Sequence, residues 1–123
     1  SNHLPDRDNN KGVIDYQLLS KMRHGASFIN TGRGAQVNED DLIRLMKERK
    51  DLTALLDVTA PEPALPESEL YDVPNIHLSS HLAGSINDEY VRMADFVIEQ
   101  AQNWQQGKEI QGEILQEALS FIA

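Results

Sequence analysis

Three short segments hold the residues able to do chemistry. They are Asn30-Thr31-Gly32-Arg33-Gly34, then Leu56-Asp57-Val58 running to Pro61-Glu62-Pro63, then Ser80-His81-Leu82-Ala83-Gly84. Together they supply a fixed cation, two carboxylates and an imidazole, with glycines or prolines beside them to shape the loops. Imidazole titrates near neutral pH, so His81 can give or take a proton at an alcohol or carbonyl. A glutamate on its other ring nitrogen would fix the ring and favour the protonated form, and Glu62 sits locked between two prolines. The planar fork of Arg33 can hold a carboxylate by two parallel hydrogen bonds and still polarise an adjacent carbonyl. Asp57 ends an apolar run, where an ionised carboxylate needs a partner such as an amide ligand. Singly, each has a plainer reading: a turn arginine, a loop cap, a hydrogen-bonding histidine at a strand end. The set of Arg33, Glu62 and His81 moves the catalytic reading ahead. His3, His24 and His77 read as loop, helix-end and mid-strand residues.

The elements that must position these groups alternate strand and helix. Asp15 can cap a short helix through about His24 that buries Leu18, Leu19 and Met22, and Gly25 stops it. Ser27–Asn30 reads as a buried strand. Asn38 caps a second helix through about Arg49, with Asp40 and Asp41 in its first turn and Leu42, Ile43 and Met46 facing inward. Thr53–Val58 is nearly continuous in apolar character, which predicts a strand covered on both faces. A proline-rich loop leads to a third strand over Ile76–Ser79, and the alternation implies a parallel sheet with right-handed crossovers. Ligands in such sheets bind beyond the carboxyl ends of the strands, so the three segments are expected to converge on one crevice.

Past Gly84 the pattern changes. Ile86, Tyr90, Met93, Val97, Ala101 and Trp104 keep the spacing of one helical face, and Gly107 ends it. Ile114, Leu115, Ala118, Leu119 and Ile122 predict a shorter helix beyond. The opening, Ser1 to Gly12, is polar and turn-rich, with no strand or helix expected. A small three-stranded sheet would leave an edge bare, so the chain reads as the back half of a larger domain.

Composition excludes more than it selects. The 123 residues carry 11 basic and 20 acidic side chains, a net charge of −9. No basic stripe is present to neutralise phosphates, which argues against nucleic acid as a partner. Lys47, Arg49 and Lys50 fall where a helix should end and read as cations opposing its dipole. No apolar run reaches membrane-spanning length, and the start is not a signal peptide. Cysteine is absent, and four histidines without tight pairing argue against a metal site. The cytoplasm is the default compartment.

Gly32-Arg33-Gly34-Ala35-Gln36-Val37 matches two of the three glycines of a dinucleotide fingerprint, but its last position is valine and a long arginine stands between the glycines. It is rejected as a pyrophosphate loop.

The ordered motifs resemble those of the D-isomer-specific 2-hydroxyacid dehydrogenases over Ser1 to about Gly107. Ile29 through Gly34 resembles the family's Asn-x-x-Arg-Gly, Leu56 through Pro63 its Leu-Asp-Val…Glu-Pro, and His81 through Gly84 its His-x-x-Gly. His3-Leu4-Pro5 resembles the loop after the fourth strand of the family's nucleotide domain, with Asn10 where the family usually has threonine. The resemblance implies an α/β fold: the second half of a Rossmann-like doubly wound parallel sheet over residues 1–84. Residues 85–123 would then be a long C-terminal helix and its tail, returning to a substrate domain. It further implies NAD as cofactor, with NADP open, a small 2-oxo or 2-hydroxy acid as substrate, and a homo-oligomer. Arg33 would grip the substrate, His81 serve as acid/base with Glu62 its partner, and Asp57 face the nicotinamide carboxamide. Thr31, Gly32, Ala83 and Gly84 would line the cofactor through their backbones. The family's first folding unit and its glycine-rich loop have no counterpart in these residues, so these 123 residues alone are expected to be inactive. The alternative is a non-catalytic dinucleotide sensor or scaffold on the same fold, which would have no need of the acid/base pair. A formate-oxidising branch, with glutamine in place of Glu62, fits less well.

Overall fold

The computed structural model describes residues 1–120. The chain forms two compact units, one over Ser1–Leu82 and a second opening at Ala83. In the first, β1 (Ser27–Asn30), β2 (Thr53–Leu56) and β3 (Ile76–Leu78) make a parallel sheet in that order, with Ile29 beside Leu55 and Leu55 beside His77. α1 (Tyr16–Leu19) precedes β1, and α2 (Glu39–Glu48) carries the chain from β1 to β2. The α/β alternation expected from the sequence is present.

The core lies between one face of the sheet and the helices. Phe28, Ala54, Leu56 and Ile76 are buried with Leu42, Leu45 and Met46 of α2 and with Leu52 and Leu70. Leu42 and Met46 retain no exposed surface, so truncating either to alanine would cost about 2–5 kcal/mol. Asn38 caps α2 by accepting the Asp41 amide at 3.1 Å, and Glu39, Asp40 and Asp41 fill the first turn, where the helix dipole favours carboxylates.

Several expectations need correction. β2 is buried on one face only: strand alternation turns Ala54 and Leu56 inward, while Leu55 is 39% and Ile29 38% exposed on the opposite face. The helices of this unit supply one covering layer, not two. β2 ends at Leu56 and β3 at Leu78, although the Asp57 amide still bonds Asn30 at 2.9 Å. α1 stops at Leu19 rather than near His24, because the next amides, Lys21 and Met22, turn back by three residues to Leu18 and Leu19. Asp15 does cap it, accepting the Leu18 amide at 2.8 Å, but Leu18 itself is exposed. The opening segment is not structureless: Asn2 bridges in parallel to Asn30, and Asp8–Asn10 forms a 3₁₀ turn. Two of the cations at the end of α2 also have carboxylate partners. Lys47 pairs with Glu69, and the Arg49 fork grips Asp51 at 2.7 and 2.8 Å, holding that carboxyl below its usual range.

In the second unit, α3 (Asp88–Gln105) is the long helix expected, and Gly107, at φ +67°, ends it with its amide on the Trp104 carbonyl at 3.1 Å. The shorter helix anticipated from Ile114 is instead a 3₁₀ stretch, Gln116–Ser120. The side chain of Leu119 and the whole of Ile122 lie outside the described residues.

Candidate active site

The loop that leaves β2 is anchored residue by residue. Asp57 is 6% exposed, and its carboxylate accepts the Ser79 hydroxyl and, at 2.7 Å, the Leu82 amide. One buried carboxyl group therefore ties the end of β2 to the loop after β3, meeting the requirement that a buried polar group be hydrogen-bonded. That loop turns sharply at His81, whose φ of +55° lies in the left-handed region that a non-glycine residue seldom enters and that clusters at functional sites. The turn presents Nδ1 of His81 to Oε1 of Glu62. Both prolines that flank Glu62 follow cis peptide bonds. The Thr59 hydroxyl donates to the Pro61 carbonyl at 2.8 Å, and the Ala60 amide donates to Glu39 at 2.7 Å. Half-burial pushes the Glu39 carboxyl up, against the opposing pull of the Ala60 N–H.

These residues open onto a cleft of about 520 Å³. Asp57, Glu62, Ser79 and His81 give it polar groups; Pro63, Ala64, Leu78 and the Tyr71 ring give it apolar walls. Tyr71 is itself steadied by donating its hydroxyl to the Ala64 carbonyl at 3.0 Å. The volume falls in the range of small-ligand sites, and a few convergent polar groups among apolar walls are their usual make-up.

Arg33 is placed differently. It is exposed, does not line this cleft, and its guanidinium donates back to the Gly32 carbonyl at 2.9 Å. Its backbone, by contrast, is fixed: the Asn30 side chain donates to the Arg33 carbonyl at 3.0 Å and accepts the Gly32 amide at 3.2 Å. Thr31 is exposed beside it. Gly34 is required by close packing, because a Cβ there would stand 2.1 Å from the backbone of Thr59. Gly32 is less confined, a Cβ meeting the Asn2 carbonyl at 3.3 Å. Gly34 thus packs this loop against the one that leaves β2, and Gly32 lies beside the opening segment. Ala83 and Gly84 open the second unit, and Gly84 takes φ +122°, a conformation that favours glycine. Among the described residues no cluster of three or more potential metal ligands occurs.

Sequence reasoning missed three supports. Asn2 and Gln36 are buried with Asn30 in an amide network: Asn2 donates to Asn30 at 3.0 Å and to Gln36, and Gln36 donates to the Leu4 carbonyl at 2.7 Å. The signal was Asn30 itself, since strand alternation sets it on the same inward face as Phe28. Ser79, which holds Asp57, and Glu39, which holds Ala60, had no such signal, because a polar residue beside a loop is ordinary.

A family model described as the D-isomer specific 2-hydroxyacid dehydrogenase, NAD binding domain, matches residues 1–83. The chain is 31% identical over 113 residues to glyoxylate/hydroxypyruvate reductase A of Citrobacter koseri, covering 92% of this chain and 36% of that protein. Among solved structures it resembles a D-isomer specific 2-hydroxyacid dehydrogenase of Xanthobacter autotrophicus in complex with NADPH (TM-score 0.75, 26% identity, 91% of this chain and 46% of the other). It also resembles an NADPH-dependent glyoxylate/hydroxypyruvate reductase of Sinorhizobium meliloti in complex with NADP (TM-score 0.75, 29% identity, 90% and 36%). The chain spans between 27% and 36% of the length of two curated relatives it matches. With its parallel sheet, its Asp57 anchor and its Glu62–His81 pair in the matched segment, the chain belongs to the D-isomer-specific 2-hydroxyacid dehydrogenase family and carries the C-terminal portion of that family's NAD-binding domain.

Proposed function

We propose that the cleft beside Glu62 and His81 serves the interconversion of a small 2-oxo acid and its D-2-hydroxy acid with NAD(H). The observation that carries this is the contact between Glu62 and Nδ1 of His81 at the mouth of a cleft that also holds Asp57. With Nδ1–H donated to the carboxylate, Nε2 is the nitrogen left to give a proton to the substrate oxygen in reduction and take it back in oxidation. Arg33, swung off the Gly32 carbonyl, binds the substrate carboxylate and steadies negative charge gathering on the reacting oxygen. The residues present fit the nicotinamide end of the cofactor: a fixed carboxylate for the carboxamide in Asp57, flat apolar walls, and the backbones of Thr31 and Gly32 at the end of β1. A bound nicotinamide dinucleotide supplies or accepts the hydride. NADP(H) is the alternative cofactor, since the Xanthobacter and Sinorhizobium neighbours hold NADPH and NADP. Glyoxylate and hydroxypyruvate, named for the Citrobacter relative, are the first substrates to try. The large apolar residues exposed on α3, Val97 at 63% and Trp104 at 70%, support a homo-oligomer, which sedimentation would check.

The test is loss of reduced-nicotinamide absorbance with a panel of 2-oxo acids, followed by chiral analysis of the product. It is made on the polypeptide that carries these residues in the cell. Turnover to the D-hydroxy acid is expected. Tight NADH binding with no turnover of any 2-oxo acid would favour a sensor instead.

A further inference from the structure

We propose that Glu39, the first residue of α2, is a positioning residue for the Glu62–His81 pair, its carboxylate holding the Ala60 amide and so fixing the loop on which Glu62 stands. The proposal rests on reading Glu62 and His81 as the acid/base pair.

The loop has few means of anchoring itself. Between Ala60 and Pro63 the two prolines have no N–H, so only Ala60 and Glu62 can donate from the backbone. Glu39 takes the first of these at 2.7 Å. One residue earlier, the backbone of Thr59 lies flush against Gly34, where a Cβ would come to 2.1 Å. Adjacent residues of the loop are therefore gripped from one stretch of chain, Gly34 to Glu39. The grip is rigid because α2 is rigid: Leu42, Leu45 and Met46 are buried and Asn38 caps the helix. A carboxylate acceptor also makes a stronger bond to an amide than a neutral group would. Glu62 stands two residues beyond the anchored amide, so slack at Ala60 reaches the His81 contact directly. Displacements of about 1 Å in such supports can cost on the order of 100-fold in rate.

The experiment reads the His81 imidazole nitrogens by NMR in the 123-residue chain, at a pH where the ring is neutral. The parent is expected to hold its hydrogen on Nδ1, facing Glu62. Glu62→Leu sets the signature of a released ring. Glu39→Ala should lose the larger part of the Nδ1–H population, and Glu39→Gln, whose amide oxygen can still accept from Ala60, should keep it. Glu39→Asp retains the charge but withdraws it from Ala60, and should follow Glu39→Ala even if the alanine variant fails to fold. A parent-like spectrum in both Glu39→Ala and Glu39→Asp overturns the proposal. So does loss in Glu39→Gln as deep as in those two, because an acceptor still within reach of Ala60 would then not be what orients the ring. An unchanged ring in Glu62→Leu also overturns it, for there would be no pair to position. Failure of the dehydrogenase reading looks different: no turnover by the native polypeptide, with all of these spectra as expected.

Discussion

The loops that leave β1 and β2 lie at the same end of one sheet, yet they hold their functional side chains in opposite ways. After β2, Asp57 is buried and accepts from Ser79 and Leu82, Ala60 is tied to α2, and Glu62 is already in contact with His81. After β1, the backbone is fixed by Asn30, but the Arg33 guanidinium is exposed and satisfied by its neighbour's carbonyl. Proton transfer demands an oriented ring before the substrate arrives, whereas a long cation can exchange a weak local partner for a bound carboxylate. On the proposed reading, the acid/base half is preorganised and the anion-binding half has still to engage its ligand.

The sharpest way to break that contrast is His81→Asn. If His81 moves the proton, turnover by the native polypeptide should fall about 10²- to 10⁴-fold. Affinity for NADH, measured by calorimetry, should stay within a few-fold if His81 transfers the proton and does not anchor the cofactor. A variant that keeps most of its activity removes His81 from the acid/base role.

The packing that joins the two loops comes next. Gly34→Ala forces a Cβ to 2.1 Å from the Thr59 backbone, which cannot step aside as a flexible side chain could. Overpacking of this kind should cost about 1–3 kcal/mol, read from denaturant midpoints. Gly32→Ala, facing a contact at 3.3 Å, should cost clearly less. Equal losses would mean that the loops are not locked together at Thr59.

How far the sequence reveals this contrast depends on the kind of cause. Local causes were readable: Asn38 and Asp15 are capping residues where the pattern placed them, and the inward set of α2 follows its spacing. Motif order brought out Asp57, Glu62 and His81, which the fold gathers at one cleft. What escaped depended on contacts distant in sequence. The burial of Asn2 comes from a bridge to Asn30, and the value of Glu39 from an amide 21 residues away. The bare face of β2 escaped for another reason. A run such as Thr53-Ala54-Leu55-Leu56 suits a strand covered on both sides, and only tertiary packing reveals that one side is open. Nor could composition show that the Arg33 fork lies folded onto Gly32.

Arg33→Lys sharpens the comparison from the other loop. The substitution keeps the charge and loses the bidentate fork, so KM for the oxo acid should rise and kcat fall, together about tenfold or more in kcat/KM. Stability should be unaffected, because the replaced group is exposed. Kinetics identical to the parent's would leave Arg33 as a turn residue bonded to Gly32 and nothing more.

The smallest effect tests what the rigid loop costs. Burial raises the Glu39 carboxyl, with Asp40 adding to the rise and the Ala60 N–H opposing it. A raised value means that the folded chain binds this proton more tightly than the unfolded chain does. Below the ordinary value of 4.5 both forms are protonated and the carboxyl has no charge to desolvate. As pH rises through the shifted value, the folded state must bury part of a charge, and stability falls. Glu39→Gln never ionises, so the stability difference should move in favour of the glutamine variant between acid and neutral pH. For a half-exposed group the change should be about 0.5 kcal/mol or less, read from urea midpoints at the two pH values. The helix dipole pulls the other way, since a carboxylate in the first turn of α2 gains from ionising. A shift in favour of the parent would therefore mean that the dipole outweighs burial and that Glu39 is an ordinary first-turn acid. A shift toward glutamine would mean that the chain keeps a charge at some cost to its own stability, in the one place where that charge holds the Ala60 amide and the loop of Glu62.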